Sequence, residues 1–178
     1  MQTTLYDASV PVFSHYLQQL AHMLAKAAIH AQGEGYAAES LLNARLAPDM
    51  FNLAQQVGIT AGFSLRACYP LAGLAIPNLP DAGSSFAGLQ AGLGQTLGLL
   101  QCLTREQMAH TPELPIITQA GQAERQFNRH DYLLHYTLPN FFFHLGMAYA
   151  ILRHQGVPLS KQDFDGHHAY APGFSFVA

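Results

Sequence analysis

The 178-residue chain carries few charges, because Asp, Glu, Lys and Arg together make up only 11% of it. Typical soluble domains contain about 25% of these residues. Apolar residues make up 49%, which excludes intrinsic disorder, since disorder needs low hydrophobicity and high charge. Only 8 basic residues stand against 11 acidic ones, so no basic surface for nucleic acid is expected. Every long apolar run is interrupted by proline or polar residues, and we therefore expect no membrane-spanning helix.

Several motifs that carry chemistry are also missing. The chain has neither GxGxxG nor GxxxxGK[ST], and it lacks HExxH, GxSxG, CxxCH and paired Glu-x-x-His motifs. The two cysteines, Cys68 and Cys102, have no CxxC or zinc-like spacing and indicate a reducing compartment. The first residues lack the charged and apolar regions of a signal peptide. A cytoplasmic location is expected.

The pattern of apolar residues predicts a bundle of four long helices within one domain, 1–178. The four segments run from about Val10 to Gln32, from Pro48 toward Leu74, from Ser84 or Ser85 to Met108, and from His130 to His154. In the second of them, Asp49 would lie in the first turn. Between helices three and four, Ile116–Gln119 and Glu124–Phe127 permit a small β-hairpin. Residues 159–178 form an irregular, aromatic C-terminal tail.

The third helix and the low charge both favour self-association. Gly88, Gly92, Gly94 and Gly98 lie inside this helix, and their four-residue spacing predicts close approach of another helix. A chain with few charges also leaves apolar surface that a second copy could cover. We therefore expect a homodimer.

The fourth helix provides the main candidate site. Asn140 and His144 are four residues apart, so they share one face of a helix whose other residues are mostly apolar. If this face points inward, both polar groups need partners. They are either a hydrogen-bonded pair that fixes the helix register, or part of a site for a metal or a substrate. Gln56 belongs to a polar stripe of the second helix, and this stripe either faces solvent or places Gln56 opposite His144 across the bundle.

Other residues extend this hypothesis. His144 would act as a general base or as a lone imidazole ligand, while Gln56 and Asn140 orient a substrate or water. Tyr132, Tyr136 and Tyr149 would donate hydrogen bonds nearby. On the first helix His30 belongs to a polar stripe, and it either faces solvent or turns inward near the helix end.

The fourth-helix stretch LPNFFFHLGMAYAILRHQGVPL resembles the last bundle helix of the DinB/YfiT-like superfamily. The chain resembles more specifically one branch of this superfamily, whose function is unknown. The branch is matched by LYDASVPVF, LAKAAIHA, ARLAPDMFNLAQQV, HDYLLHYTLPNFFFH and AYAILRHQGVPLSKQDF, which together span most of residues 5–164. The resemblance implies an antiparallel four-helix bundle that is often dimeric.

The resemblance also implies where a metal would bind. Superfamily members commonly hold a divalent metal through one histidine on the second helix and a pair on the fourth. Aligned on Ile151-Leu152-Arg153, the pair falls on Asn140 and His144, and Gln56 is the candidate on the second helix. One imidazole with two amides is a poor site for zinc or nickel. We expect that this triad is lost or altered, or that His30 completes a site with His144.

Three functions remain open at this stage. The first is a small-molecule site in the bundle core centred on His144. The second is a dimeric binding or scaffold protein without catalysis. The third is the metal-dependent thiol transfer or hydrolysis of better-known relatives, which needs a third strong metal ligand. Because function resides in a site and not in a fold, the sequence identifies no reaction.

Overall fold

The computed structural model describes residues 3–35, 37–78, 85–112, 114–171 and 174–175. The long helices are α1 (Val10–Glu34), α3 (Leu53–Leu71), α4 (Phe86–Gln101) and α7 (Leu138–His154). The short helices are α2 (Ala38–Leu42), α5 (Arg105–His110), α6 (Arg129–Asp131) and α8 (Lys161–Asp165). Strands β1 (Ile116–Ala120) and β2 (Ala123–Phe127) pair antiparallel, with Ile116 opposite Phe127. The expected four-helix bundle with a hairpin between its third and fourth long helices is confirmed.

The core lies between the four long helices. Helix α3 packs against α7 and α4, α1 packs against α4, and α8 lies along α1. Phe13, Leu17, Leu65, Phe141 and Leu145 are among the fully buried side chains that fill this space. Each such side chain contributes about 1.5–3 kcal/mol relative to leaving it exposed. The close packing of α3 on α7 brings the candidate residues of the two helices together.

Helix α3 begins five residues later than the expected start at Pro48. Asn52 accepts a hydrogen bond from the Gln55 N–H through its side chain, and the Gln55 side chain accepts one from the Asn52 N–H. This reciprocal capping box satisfies two donors that a helix start leaves unpaired. The prediction that Asp49 lies in the first turn is therefore wrong.

Helix α4 is shorter than expected, because it ends at Gln101 and does not continue to Met108. Thr104 and Gln107 form a second capping box, which begins α5. A Thr followed three residues later by Gln is a sequence signature of a helix start. The expected single helix is thus two helices with a break between them.

The last helical segment changes its geometry in the middle. Tyr132–Thr137 form a π-helical turn between α6 and α7. Pro139 lies two residues after this turn, and it has no N–H to donate to the carbonyl four residues before it. The Thr137 hydroxyl lies 3.1 Å from the Tyr132 carbonyl oxygen, to which it donates. Such π-turns occur frequently at functional sites.

The C-terminal tail is not irregular throughout, because α8 forms within it. Ser160 and Asp163 make a capping box at its start, and Gly166 ends it in the left-handed conformation at φ 68°. The predicted aromatic residue Phe176 lies outside the described residues. Between 3 and 171, with the gaps given above, no helix is both long and apolar enough to cross a membrane.

At Gly94 and Gly98, α4 has no partner helix within the part of the chain that the structure describes. A Cβ atom added at Gly94 or Gly98 would meet no heavy atom within 4 Å. The close approach of another helix predicted from the glycine spacing is therefore not found at these two positions within the chain. The face is open to solvent.

Candidate functional site

The side chains of His144 and Gln56 meet between α7 and α3. His144 Nδ1 and Gln56 Oε1 lie 2.7 Å apart. The two residues are 8% and 1% exposed, respectively. The predicted contact between Gln56 and His144 across the bundle is therefore present, although its role stays a prediction.

The hydrogen bonds around Gln56 assign the tautomer of His144. The Gln56 amide nitrogen is oriented toward the Phe51 carbonyl oxygen at 3.5 Å, so Oε1 is left to accept from the histidine. Nδ1 of His144 consequently carries the proton, and Nε2 presents a lone pair. Burial lowers the pKa of His144 below its usual range. The imidazole is therefore neutral at pH 7.

Three phenylalanine rings surround the imidazole, and we call them the aromatic collar: Phe51, Phe63 and Phe143. Phe63 stacks on His144 with 5.7 Å between ring centroids and 19° between planes. Phe143 contacts the ring edge-on at 5.2 Å, and Phe51 lies at 6.3 Å. Phe51 and Phe143 are about half exposed. The collar therefore has an apolar inner wall and an outer rim that reaches solvent.

Tyr136 and Asn140 lie beside the collar but are engaged with the backbone. The Tyr136 ring meets Phe63 edge-on at 6.1 Å, and its hydroxyl donates to the Gln119 carbonyl oxygen at 3.2 Å. The Asn140 amide nitrogen donates to the Tyr136 carbonyl oxygen at 2.6 Å. Asn140 thus satisfies a backbone group of the π-turn, which accounts for an amide at this position.

Two predicted tyrosines are not directed at His144. Tyr132 is buried, and its hydroxyl donates to the Arg66 carbonyl oxygen at 2.7 Å. Tyr149 packs edge-on against Phe164 of α8 at 5.6 Å. It is five residues beyond His144, which turns it about 140° around the helix. The structure therefore does not bring Tyr132 or Tyr149 together with His144.

His30 is also remote from His144. A Cβ atom on Gly156 would lie 3.7 Å from His30 Nε2, so His30 is located beyond the C-terminal end of α7. That end is ten residues past His144, or about 15 Å along the helix. The structure therefore does not bring His30 and His144 together.

Phe63 also borders a groove that the sequence did not reveal. The groove runs between α3 and β1 and has a volume of about 530 Å³. Its lining residues are Ile59, Gly62, Phe63, Arg66, Ile76, Ile117, Thr118 and Gln119. Phe63 lies seven residues after Gln56, which is two helical turns on the same face. That spacing could have assigned Phe63 to the site from the sequence. The groove could not be predicted, because it depends on where the hairpin packs.

Comparisons with known proteins agree with the architecture. A family model described as a domain of unknown function, DUF1993, matches residues 5–165. The chain belongs to the DUF1993 family. A crystal structure at 1.83 Å of a DinB family member protein from Shewanella denitrificans is 30% identical, with a TM-score of 0.84 and 94% of each chain covered. No curated protein matches the chain significantly.

The metal site implied by the DinB resemblance does not fit the residues of this DUF1993 chain. Gln56 Oε1 already accepts the proton of His144 Nδ1, and the Asn140 amide is turned toward its own helix. Within the described ranges, no group of three His, Cys, Asp or Glu side chains is placed to hold a metal ion. One imidazole nitrogen is too few ligands for zinc or nickel, which need three or four strong donors. We derive no chemistry through a metal at His144.

Proposed function

We propose that the DUF1993 chain binds a small, largely apolar molecule at His144, with Nε2 accepting a hydrogen bond or a proton from it. The observation that carries this proposal is a neutral imidazole fixed through Nδ1 by Gln56 and surrounded by the aromatic collar. A fixed, neutral imidazole is the form of histidine that can act as a general base. In this assignment Gln56 orients the ring, and the collar contacts the ligand.

The adjoining groove supports this ligand class. At about 530 Å³ it lies within the usual range of roughly 300–1,000 Å³ for small-molecule sites. Ile59, Ile76 and Ile117 give it apolar walls, and it shares Phe63 with the collar. A ligand with an apolar body in the groove would contact Phe63, the ring that stacks on His144.

Phenols provide a direct test, because they combine an aromatic ring with one proton donor. We expect 4-ethylphenol to shift the NMR signals of His144 and Phe63 in a saturable manner. Its methyl ether, 4-ethylanisole, should bind about tenfold more weakly, since one hydrogen bond contributes roughly 1–1.5 kcal/mol. The lone pair of a histidine with a lowered pKa survives to acidic pH. Affinity should therefore fall with decreasing pH, with a midpoint below about 6.5, the usual pKa of histidine.

A His144→Phe variant keeps the ring and removes the lone pair, and it should lose the preference for the phenol over the ether. His135→Phe is the matched control, because His135 is exposed on the π-turn of the same helical segment. Equal affinities of phenol and ether for the wild type would contradict the proposal, as would unchanged discrimination in His144→Phe.

Helix α4 supports a second proposal, which is that the chain forms a homodimer through this helix. Residues Phe86–Gln101 contain no charged side chain, and the exposed face carries Ala87, Ala91, Gly94 and Gly98. Small side chains at this spacing let the helix of a second copy approach closely, and covering a surface without charge is favourable.

We also propose a cytoplasmic location for the chain. Cys68 and Cys102 are free thiols, and free thiols are typical of a reducing compartment.

Sedimentation equilibrium tests the dimer. The wild type should sediment with twice the mass of one chain, and a Gly94→Glu/Gly98→Glu variant should sediment as a monomer. Open space beside both glycines means that the substitutions cost the single chain little. Gly58→Glu is the control, because Gly58 on α3 is equally open. A monomeric wild type, or a variant that remains dimeric, would overturn the assignment of α4.

A further inference from the structure

A second cleft lies on the far side of α7 from the His144 site. It has a volume of about 630 Å³. Lys26 of α1, Tyr149 and Arg153 of α7, Lys161 of α8 and Tyr170 contribute to its walls. Arg153 is nine residues after His144, which corresponds to two and a half helical turns. Arg153 therefore lies on the opposite side of α7 from His144. The cleft is therefore independent of the aromatic collar.

Positive charge is concentrated in this cleft. The chain has eight Lys and Arg residues in total, and three of them, Lys26, Arg153 and Lys161, line it. Asp163 is the acidic residue among the lining side chains. Three basic residues in one cavity of a chain with a net charge of −3 create a local potential that attracts anions.

The carboxylate of Asp163 is already satisfied. Oδ1 receives hydrogen bonds from Lys26 Nζ at 2.9 Å and from His22 Nε2 at 3.2 Å. Oδ2 accepts from the Ser160 N–H at 2.7 Å. Burial opposes the charge of Asp163, but these hydrogen bonds outweigh it and hold the pKa of Asp163 below its usual range. Asp163 therefore neutralises Lys26 and fixes the base of the cleft.

Two cations remain for a ligand. Arg153 and Lys161 are exposed, and neither forms an ion pair with another residue of the described ranges. They belong to different helices, α7 and α8, yet both point to the same cavity. An anionic group between them would receive two charge-assisted contacts.

The rest of the cleft is aromatic and apolar. The Tyr149 ring is held by its edge-on contact with Phe164 at 5.6 Å. The Tyr170 ring stacks on Phe174 at 4.9 Å with 4° between the planes. Pro158 and Leu159 add apolar surface. Flat, rigid side chains of this kind favour a flat ligand.

We propose that this cleft binds a small planar molecule that bears an anionic group, with Arg153 and Lys161 holding the anion and Tyr149 contacting the ring. A phosphate monoester or a carboxylate on an aromatic ring has this chemistry. Tyr149 thus belongs to the second cleft, whereas the sequence analysis expects it beside His144.

Isothermal titration calorimetry with phenyl phosphate, benzoate and inorganic phosphate tests the proposal on the full chain. We expect saturable binding of at least one of the two aryl anions, and the tighter one identifies the anionic group. Inorganic phosphate should bind at least tenfold more weakly, because it lacks the ring. Raising the salt concentration from 50 to 500 mM should weaken aryl anion binding, since exposed charges are screened.

An Arg153→Gln/Lys161→Gln variant should lose at least tenfold in affinity for the aryl anion. Arg125→Gln, at an exposed position on β2, should bind as the wild type does. A Tyr149→Leu variant should bind aryl anions and inorganic phosphate with similar affinity. Absence of saturable binding overturns the proposal, and so does binding that survives in the double variant or falls equally in Arg125→Gln. Inorganic phosphate binding as tightly as the aryl anions to the wild type would refute the planar ligand class.

Discussion

An Arg129→Met variant is expected to lose roughly 3–5 kcal/mol of unfolding free energy. Arg129 is only 4% exposed. Its guanidinium donates to the carbonyl oxygens of Leu71 and Met108 at 2.6 Å each and of Thr111 at 3.2 Å. These carbonyls belong to the end of α3, to α5 and to the segment that follows α5. The Arg129 side chain therefore pairs with carbonyl groups at the end of α3, in α5 and just after α5.

Methionine is chosen because it has a similar length and leaves little cavity, so the loss reports on the hydrogen bonds. Removing the donors leaves buried carbonyl groups unsatisfied, at about 1–3 kcal/mol for each fully buried group. Urea unfolding followed by circular dichroism gives the free energy. Arg125→Met, on the exposed strand β2, should change it by less than about 0.5 kcal/mol. A loss below about 1 kcal/mol in Arg129→Met would show that the three contacts do not stabilise the fold.

Features with a local cause could be predicted well from the sequence. Helix α1 is predicted from its first residue, because its apolar periodicity is regular and Pro11 suits the first turn. The predicted end at Gln32 is two residues short, because the helix continues past Gly33 and ends at Gly35 with φ 69°. The hairpin was predicted within one residue per strand, since Gly121 adopts φ 61° in the turn between the strands. In both cases neighbouring residues alone determine the structure.

Two features that depend on distant contacts, the position of Tyr132 and the role of Arg129, were not predicted. Tyr132, Tyr136, Asn140 and His144 follow one another at steps of four residues. The π-turn before Pro139 shifts the register of this segment, so these residues do not lie on one straight face. Each four-residue step also drifts by about 40° around an α-helix. Tyr132 consequently donates to α3, away from His144. The role of Arg129 was equally invisible, because the three carbonyl groups to which it donates in the described part of the chain are 18 or more residues away.

The candidate site shows the same division. Gln56 and His144 could be paired in advance, because each is a polar residue on an apolar helix and such groups need partners when buried. The aromatic collar could not be assembled, because Phe51 precedes α3 and Phe63 and Phe143 belong to two helices. Sequence periodicity assigns residues to faces, but the packing of α3 on α7 decides which faces meet.

A chain with histidine at both amide positions, Gln56→His/Asn140→His, is expected to bind one zinc ion where the wild type binds none. The Gln56 side chain reaches His144, and residue 140 lies one turn before His144 on the same helix. Three imidazoles converging from two neighbouring helices form a common zinc site, in which water takes the fourth position. The wild-type amides prevent this, because they bond to His144 and to the backbone instead of facing a common point.

The measurement is elemental analysis after dialysis against zinc, followed by calorimetric titration of the metal. The double variant should retain about one zinc per chain and bind it at least a hundredfold more tightly than the wild type. Adding His144→Ala to the double variant should abolish retention, because two imidazoles alone bind zinc weakly. A wild-type chain that retains one zinc would refute the conclusion that its residues do not fit a metal. A folded double variant that retains none would show that positions 56, 140 and 144 do not converge on one point.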